Sequence, residues 1–306
     1  MSDDLMNTKE VAKYLGIHEK QVYSLIRTGR IPATRVTGKW IFPKHLIDDW
    51  IEEQARTGLA EARGKGARIE GALLAAGSND PVLDMLLTSM KSQAPEFYFF
   101  TANTGSVGGL RALGQGYTDI AWSHLPDPVT GQYNTPDVLS RYLRRFKAVV
   151  VHLFNREMGI LVPTGNPGGI LGMEDVVRNK LRIVNRQSGA GTRILLDALL
   201  QKTGAAPDAL PGYDNEVFTH VDVGLAILAG EADAGLASAA VARLLGLGFV
   251  SLARESFDMI LAQSTFFSKE VQAFLDGLRD PVFQKRAERI GDYDFRSAGR
   301  VLHAAC

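Results

Sequence analysis

The chain has 306 residues, 34 Lys+Arg against 34 Asp+Glu, and therefore a formal net charge of zero, with 45% hydrophobic and 22% charged residues. These values suit a globular protein of about two domains, at roughly 100–200 residues each, and exclude a chain that is basic or acidic throughout. One cysteine, Cys306, excludes an internal disulfide framework and a thiolate zinc site, and six scattered histidines without HExxH supply no metal motif.

The charge is unevenly placed. Residues 7–46 carry eight Lys/Arg and two acids, a net of +6, so the remainder carries −6. Asn7 with Glu10 has the spacing of a capping box, and Val11, Ala12 and Leu15 give helical periodicity up to Gly16. Val22, Leu25 and Ile26 predict a second helix closing near Gly29, before Pro32. Ala33–Val36 and Lys39–Phe42 flank Thr37-Gly38, a hairpin signal. Pro43 then opens a third helix to about Gln54, with Leu46, Ile47, Trp50 and Ile51 on its apolar face.

Residues 55–70, rich in Gly, Ala and Arg, read as a linker. From Gly71, short apolar runs alternate with helical patterns. The runs are Ala72–Ala76, Phe97–Thr101, Ile120–Ser123, Val149–Phe154, Ile160–Val162, Arg182–Val184, Ala234–Leu236 and Phe249–Leu252. Helical patterns cover 80–91, 107–115, 191–202, 221–230 and 269–278. This alternation predicts an α/β architecture with largely parallel sheets. The N-terminus has no basic or apolar leader, and the longest apolar stretches, such as Ala148–Leu153, fall far short of the roughly 18 residues of a membrane helix. The expectation is a soluble cytoplasmic protein without a membrane partner.

A helix presented to a DNA major groove needs donors on its outer face and apolar residues inside. His18, Lys20, Gln21, Tyr23, Ser24 and Arg27 supply the outer face here, and Arg35 and Lys39 of the hairpin add cations for phosphate. The segment Asn7–Gln54 resembles the excisionase/MerR-type winged helix–turn–helix of bacterial regulators. The resemblance is carried by Thr8-Lys9-Glu10-Val11-Ala12, Leu15-Gly16, Val22-Tyr23, Ile26, Gly29-Arg30-Ile31-Pro32, Trp40 and Pro43. It implies a DNA partner, and because one such domain reads too few base pairs for useful specificity, a homo-oligomer, a dimer, is expected.

Four strand–helix turns carry small residues, hydroxyls and free amides: Gly77-Ser78-Asn79-Asp80, Thr104 to Gly109, Asn185 to Arg193, and Phe218-Thr219-His220. Glycines let backbone approach a ligand, and helix N-termini bind anions. The Rossmann fingerprint fails, because Ile194 stands where its third glycine would be, and no P-loop occurs. Ligands of open α/β sheets bind beyond the carboxyl ends of the strands, where such turns would converge. The candidate ligand residues are Ser78, Asn79, Gly105, Ser106, Val107, Arg186, Ser188, Gly189, Ala190, Gly191, Thr192, Tyr213, Asp214, Thr219 and His220. His124 with Pro126–Tyr133 forms a loop that could cover the cleft.

Residues 71–300 resemble the type II periplasmic-binding-protein-like domain, and most of all the molybdate/tungstate-binding proteins and related regulators. The segments that carry the likeness are the first three of these turns together with Thr118–His124, Gly212-Tyr213-Asp214 and Gly230–Gly235. The resemblance implies a fold of class α/β with an N-terminal winged helix–turn–helix at 1–54, a linker at 55–70 and a two-lobed ligand-binding domain at 71–306. Lobe 1 would hold about 71–155 and 256–306, and lobe 2 about 156–255. It further implies a bound small anion, molybdate or tungstate, on Ser78, Ser106, Ser188 and Thr192, with no resident cofactor or metal. Two other readings stay open: a small organic ligand stacked on Trp122, Tyr213 or His124, and an architectural excisionase-like protein. Without a GxSxG elbow, a metal-ligand cluster or a triad, no enzyme is expected.

Overall fold

Asn7 begins the first helix as its spacing predicts. Its Oδ1 accepts from the backbone N–H groups of Lys9 and Glu10, and Glu10 Oε2 accepts from the Asn7 N–H at 2.8 Å. The computed structural model describes residues 5–51, 71–144 and 146–304. The chain divides into two units, Met1–Ile69 and Glu70–Cys306.

In the first unit, β1 (Leu5–Asn7), α1 (Thr8–Leu15), α2 (Glu19–Arg27), β2 (Thr34–Val36), β3 (Lys39–Pro43) and α3 (44–51) follow one another. The strands form an antiparallel sheet in the order β1-β3-β2. Thr37 and Gly38 both have positive φ, 49° and 87°, which a two-residue hairpin of type I′ demands. The core is Val11, Ala12, Val22, Ile31, Phe42 and Ile47. Strand β1 had no signal of its own in so short a run. On α3 only Ile47 enters the core, whereas Leu46 and Ile51 are exposed, so the expected four-residue apolar face shrinks to a narrower one. The predicted end at Gln54 and the linker lie outside the described residues.

The second unit contains one nine-stranded sheet. Its strands are β4 (Ala72–Gly77), β5 (Tyr98–Asn103), β6 (Ile120–Ser123), β7 (Ala148–Val162), β8 (Ile183–Arg186), β9 (Glu216–Val217), β10 (Ala234–Ser238), β11 (Gly248–Ala262) and β12 (Val301–Ala304). The order is β5-β4-β6-β11-β7-β10-β8-β9, with β12 on β7. The parallel groups β5-β4-β6 and β10-β8-β9 flank an antiparallel centre, so the sheet is mixed rather than largely parallel.

The runs read as separate strands at Val149–Phe154 and Ile160–Val162 are one 15-residue strand, β7, and Phe249–Leu252 is only the start of an equally long β11. Polar residues hid this continuity. Asn155, Arg156 and Glu157 interrupt one run, and Arg254, Glu255 and Ser256 the other. Strands β7 and β11 pair along their whole length, with register shifts near Ser251/Ala253 and Phe257/Asp258. One end of the pair borders β6 and the other end of β7 borders β10, so the same two strands run through both halves of the unit.

Helices α4 (Pro81–Gln93), α5 (Gly105–Gly114), α8 (Gly191–Thr203), α9 (His220–Leu228) and α12 (Lys269–Arg279) lie close to the expected ranges. The helices α6 (Pro136–Ser140), α7 (Met173–Arg178), α10 (Ala239–Leu245), α11 (Gln263–Phe266) and α13 (Pro281–Glu288) carried no separate signal. In one half, Leu73, Leu83, Leu86, Trp122, Phe154, Phe257 and Phe274 pack on one sheet face and Leu110, Ala121, Leu139 and Ile260 on the other. The other half has the cores Ile160, Ile183, Leu196 and Leu236, and Leu161, Val184, Val223 and Val241.

Candidate functional site

The candidate ligand site forms where turns from the two halves meet. The loop before α4 brings Ser78, Asn79 and Asp80, all buried; the start of α5 brings Gly105, Ser106 and Val107; the end of β8 brings Arg186 and Gln187; the start of α8 brings Gly191 and Thr192; the start of α9 brings His220. At this junction, hydrogen bonds cross between the halves. The Val107 N–H donates to Gly189 O at 3.2 Å, and Arg186 Nη2 donates to Asn79 Oδ1 at 3.2 Å.

The approach is close because glycine permits it. A Cβ on Gly105, whose φ is +72°, would stand 3.2 Å from Ala190 Cα, and one on Gly191 would stand 2.5 Å from the His124 ring. The N-caps of the two facing helices, Thr104 and Ala190, make no side-chain cap hydrogen bond. Two positively polarised helix ends without side-chain caps therefore abut, the Val107 N–H of the first turn of α5 being taken up by Gly189 O.

A chain of buried charges lies beside them. Arg156 Nη1 donates to Asp80 Oδ2 at 2.7 Å and Nη2 to Glu255 Oε2 at 3.3 Å. Asp80 also caps α4 through the Val82 N–H and accepts from the Tyr293 hydroxyl. His124 Nδ1 stands 3.0 Å from Glu255 Oε2, and its ring stacks on Phe257. Burial lowers the pKa of His124, an effect that Glu255 opposes without overcoming. Burial raises that of Glu255, but His124 and Arg156 more than offset it, so the carboxyl stays ionised.

Arg186 is different. It is buried, and among the described residues it makes no ion pair. Its partners are the neutral oxygens of Gln187, Asn79 and Phe218. Burial, then repulsion from Arg156, brings its pKa down to about 10, so it remains a cation at neutral pH. Burial, followed by Arg186, Arg156 and His124, holds the His220 imidazole well below its usual pKa, hence neutral. Thr192 Oγ1, Gln187 Nε2 and both ring nitrogens of His220 are buried without a hydrogen-bond partner. A buried cation and buried free donors are costly unless something of opposite polarity meets them.

The remaining expected residues sit apart. The Ser188 side chain is exposed, and so is Asp214. The Tyr213 ring lies 3.9 Å from the Arg193 guanidinium and its hydroxyl donates to Asp197, while Arg193 pairs with Glu216 at 3.1 Å. Thr219 caps α9 through Asp222. Trp122 is core: it stacks on Phe274 and its indole donates to Thr101 Oγ1, so it is not available to stack on a ligand. Arg156, Glu255 and Gln187 were not among the candidates. Arg156 and Glu255 showed in the sequence only as polar interruptions of apolar strand runs, and Gln187 only as a member of the Asn185–Arg193 turn.

In the first unit, Lys20, Gln21, Tyr23, Ser24 and Arg27 are exposed on α2, whereas Val22 is buried. Gln21 Oε1 accepts from the N–H of His18, the residue preceding α2. Arg35 lies over Trp40 and donates to Gly38 O, and Lys39 is exposed at the hairpin. Among the described residues no helix is long and apolar enough to cross a membrane.

A family described as a PBP superfamily domain matches residues 87–279, and one described as a helix-turn-helix domain matches residues 5–55. YvgK of Bacillus subtilis (strain 168) is 27% identical over 301 residues, 96% of this chain and 96% of that one. A phosphate ABC transporter substrate-binding protein with bound phosphate from Clostridium perfringens superposes with a TM-score of 0.56 at 13% identity, over 72% of this chain and 98% of that chain. The tungstate ABC transporter from Geobacter sulfurreducens gives a TM-score of 0.52 at 13% identity, over 72% of this chain and 100% of that chain. At these identities the likeness to the solved structures is one of fold.

Proposed function

The chain belongs to the PBP superfamily and carries an N-terminal helix-turn-helix domain, and on that footing we propose that it is a cytoplasmic transcription regulator that senses a small, fully deprotonated oxyanion, molybdate or tungstate. The observation that carries this reading is Arg186, a buried cation without an ion-pair partner among the described residues, beside two helix N-termini that lack side-chain caps. Anion and cleft match in sign.

The choice among anions follows from acceptors. A protonated phosphate needs a group to receive its proton. The buried carboxylates of Asp80 and Glu255 are taken up by Arg156, and beside the Arg186 cation the free cleft groups are the donors Thr192 Oγ1 and Gln187 Nε2 and the neutral His220 ring, which brings one donor and one acceptor nitrogen. Donors outnumber acceptors in this set, which favours a dianion that carries no proton. Solved relatives in fold whose names mention phosphate and tungstate support the oxyanion class.

The exposed cations of α2 and the hairpin would meet DNA phosphates, as a dimer, because one such unit spans too few base pairs. The ligand acts on DNA binding only if it favours one arrangement of the two halves over another. Catalysis is not part of the reading. Differential scanning fluorimetry of the full chain against molybdate, tungstate, sulfate and phosphate tests it. Stabilisation by molybdate and tungstate in preference to phosphate is expected, and no shift with any oxyanion would sink it. Preferential stabilisation by phosphate would overturn the dianion assignment.

A further inference from the structure

Helix α9 turns His220, Val223, Gly224, Ala226 and Ile227 inward, yet it is apolar on a second face as well. Val221, Leu225 and Leu228 are 37, 48 and 53% exposed, and Phe218, just before the helix, is 59% exposed. Single exposed apolar residues are ordinary on a protein surface. Four at spacings of 3, 4 and 3 are not scattered: they form the kind of stripe with which helices pair. Helix α10 packs on α9 through Val241 and Leu245 beside Gly224, and its Leu244 is a further 54% exposed.

Charge narrows the choice of occupant. Helix α9 carries no Lys or Arg, and its only acid, Asp222, is engaged by the Thr219 N–H. The stripe therefore offers a charged partner nothing, and a copy of itself meets no like-charge repulsion. Area argues the same way. At about 200 Å² per fully exposed large apolar side chain, these five leave roughly 500 Å² per copy, so two copies would bury about 1,000 Å², the size at which specific interfaces begin.

We propose that α9 docks against α9 of a second copy of this chain across a two-fold axis, with Val221, Leu225 and Leu228 as the seam and Phe218 and Leu244 at its rim. A two-fold axis sets the same stripe on both sides, and the contact closes as a dimer. The smaller apolar strip on edge strand β5 and its neighbour β4, formed by Tyr98, Phe100 and Leu74, is the competing face, and Lys91 lies 3.3 Å over its Tyr98 ring. The proposal supplies the symmetric pair that the DNA reading needs, but its test uses neither DNA nor anion.

Sedimentation equilibrium of the full chain at micromolar concentration should give twice the 33.3 kDa chain mass. Leu225→Glu and Leu228→Glu, at exposed positions, should weaken self-association by at least about tenfold, with the circular dichroism and melting cooperativity of the parent. In a Cys306→Ser background, Leu225→Cys should form an intermolecular disulfide on mild oxidation and Phe100→Cys should not. A monomeric parent, a dimer indifferent to Leu225→Glu and Leu228→Glu, or cross-linking through Phe100→Cys alone would each overturn the proposal while leaving the regulator reading to its own anion and DNA assays.

Discussion

Arg156 and Glu255 are register partners at the middle of β7 and β11, the two strands that run through both halves of the ligand-binding unit, and their buried side chains meet at 3.3 Å. Asp80 holds the other side of the same guanidinium at 2.7 Å. The connection between the halves is thus pinned by charge as well as by strand pairing.

Removing one member of this chain strands the others in the interior. Glu255→Gln or Arg156→Met should cost about 3–5 kcal/mol. For a unit of this size that lowers the melting temperature by roughly 10 °C, to be read by calorimetry of the full chain. A drop of under about 3 °C would contradict the role assigned to the pair.

Arg186 should be felt by the ligand. Its cation has no ion-pair partner among the described residues, so Arg186→Ala should weaken oxyanion binding by about 10–100-fold, the worth of one charge-assisted hydrogen bond. Arg193→Ala, whose cation is already paired with Glu216 and stacked on Tyr213, should keep near-parental affinity. Isothermal titration of both variants with molybdate or tungstate decides the point. Equal losses would mean that Arg186 does not face the ligand.

The two hydroxyls of the α8 turn are separable. Thr192 Oγ1 is buried and unpartnered, whereas Ser188 is exposed. Thr192→Val should reduce oxyanion affinity about tenfold, the worth of one good hydrogen bond, and Ser188→Ala should have little effect. A thermal-shift titration in which Ser188→Ala loses more than Thr192→Val would reverse the assignment.

Stability should fall on acidification from near pH 6.5. His220 has a pKa in the folded chain well below its unfolded value of about 6.5, so the unfolded state binds the extra proton first. The stabilisation is complete above that value and is lost progressively as pH falls towards the folded pKa. Urea titrations at pH 8, 6 and 5 should show this slope, and His220→Gln should flatten it. An unchanged slope in the variant would assign the effect to other groups.

On the first unit, Lys20→Ala and Arg27→Ala each remove an exposed cation of α2. Each should weaken DNA binding and reduce the slope of log affinity against log salt by about one if that cation neutralises a phosphate. Fluorescence anisotropy across a salt series gives the slope. Parental affinity and slope in both variants would remove α2 from the interface.

The residues alone determined what is local. The Asn7–Glu10 box, the Thr37-Gly38 hairpin and the glycine-bearing turns before α5 and α8 each depend on neighbours within a few positions, and spacing reads such neighbours directly. The basic segment and the acidic remainder were legible for the same reason. Only the tertiary structure decided that Val149–Phe154 and Ile160–Val162 are one strand, because the polar break at Arg156 is satisfied by Asp80 and Glu255, 76 and 99 residues away. It also decided that Trp122 is core, that Arg193 is paired with Glu216 while Arg186 has no ion pair among the described residues, and that Thr192 rather than Ser188 is buried. Each of these depends on which distant groups share a space, and burial and pairing between distant segments leave no periodic trace in the chain.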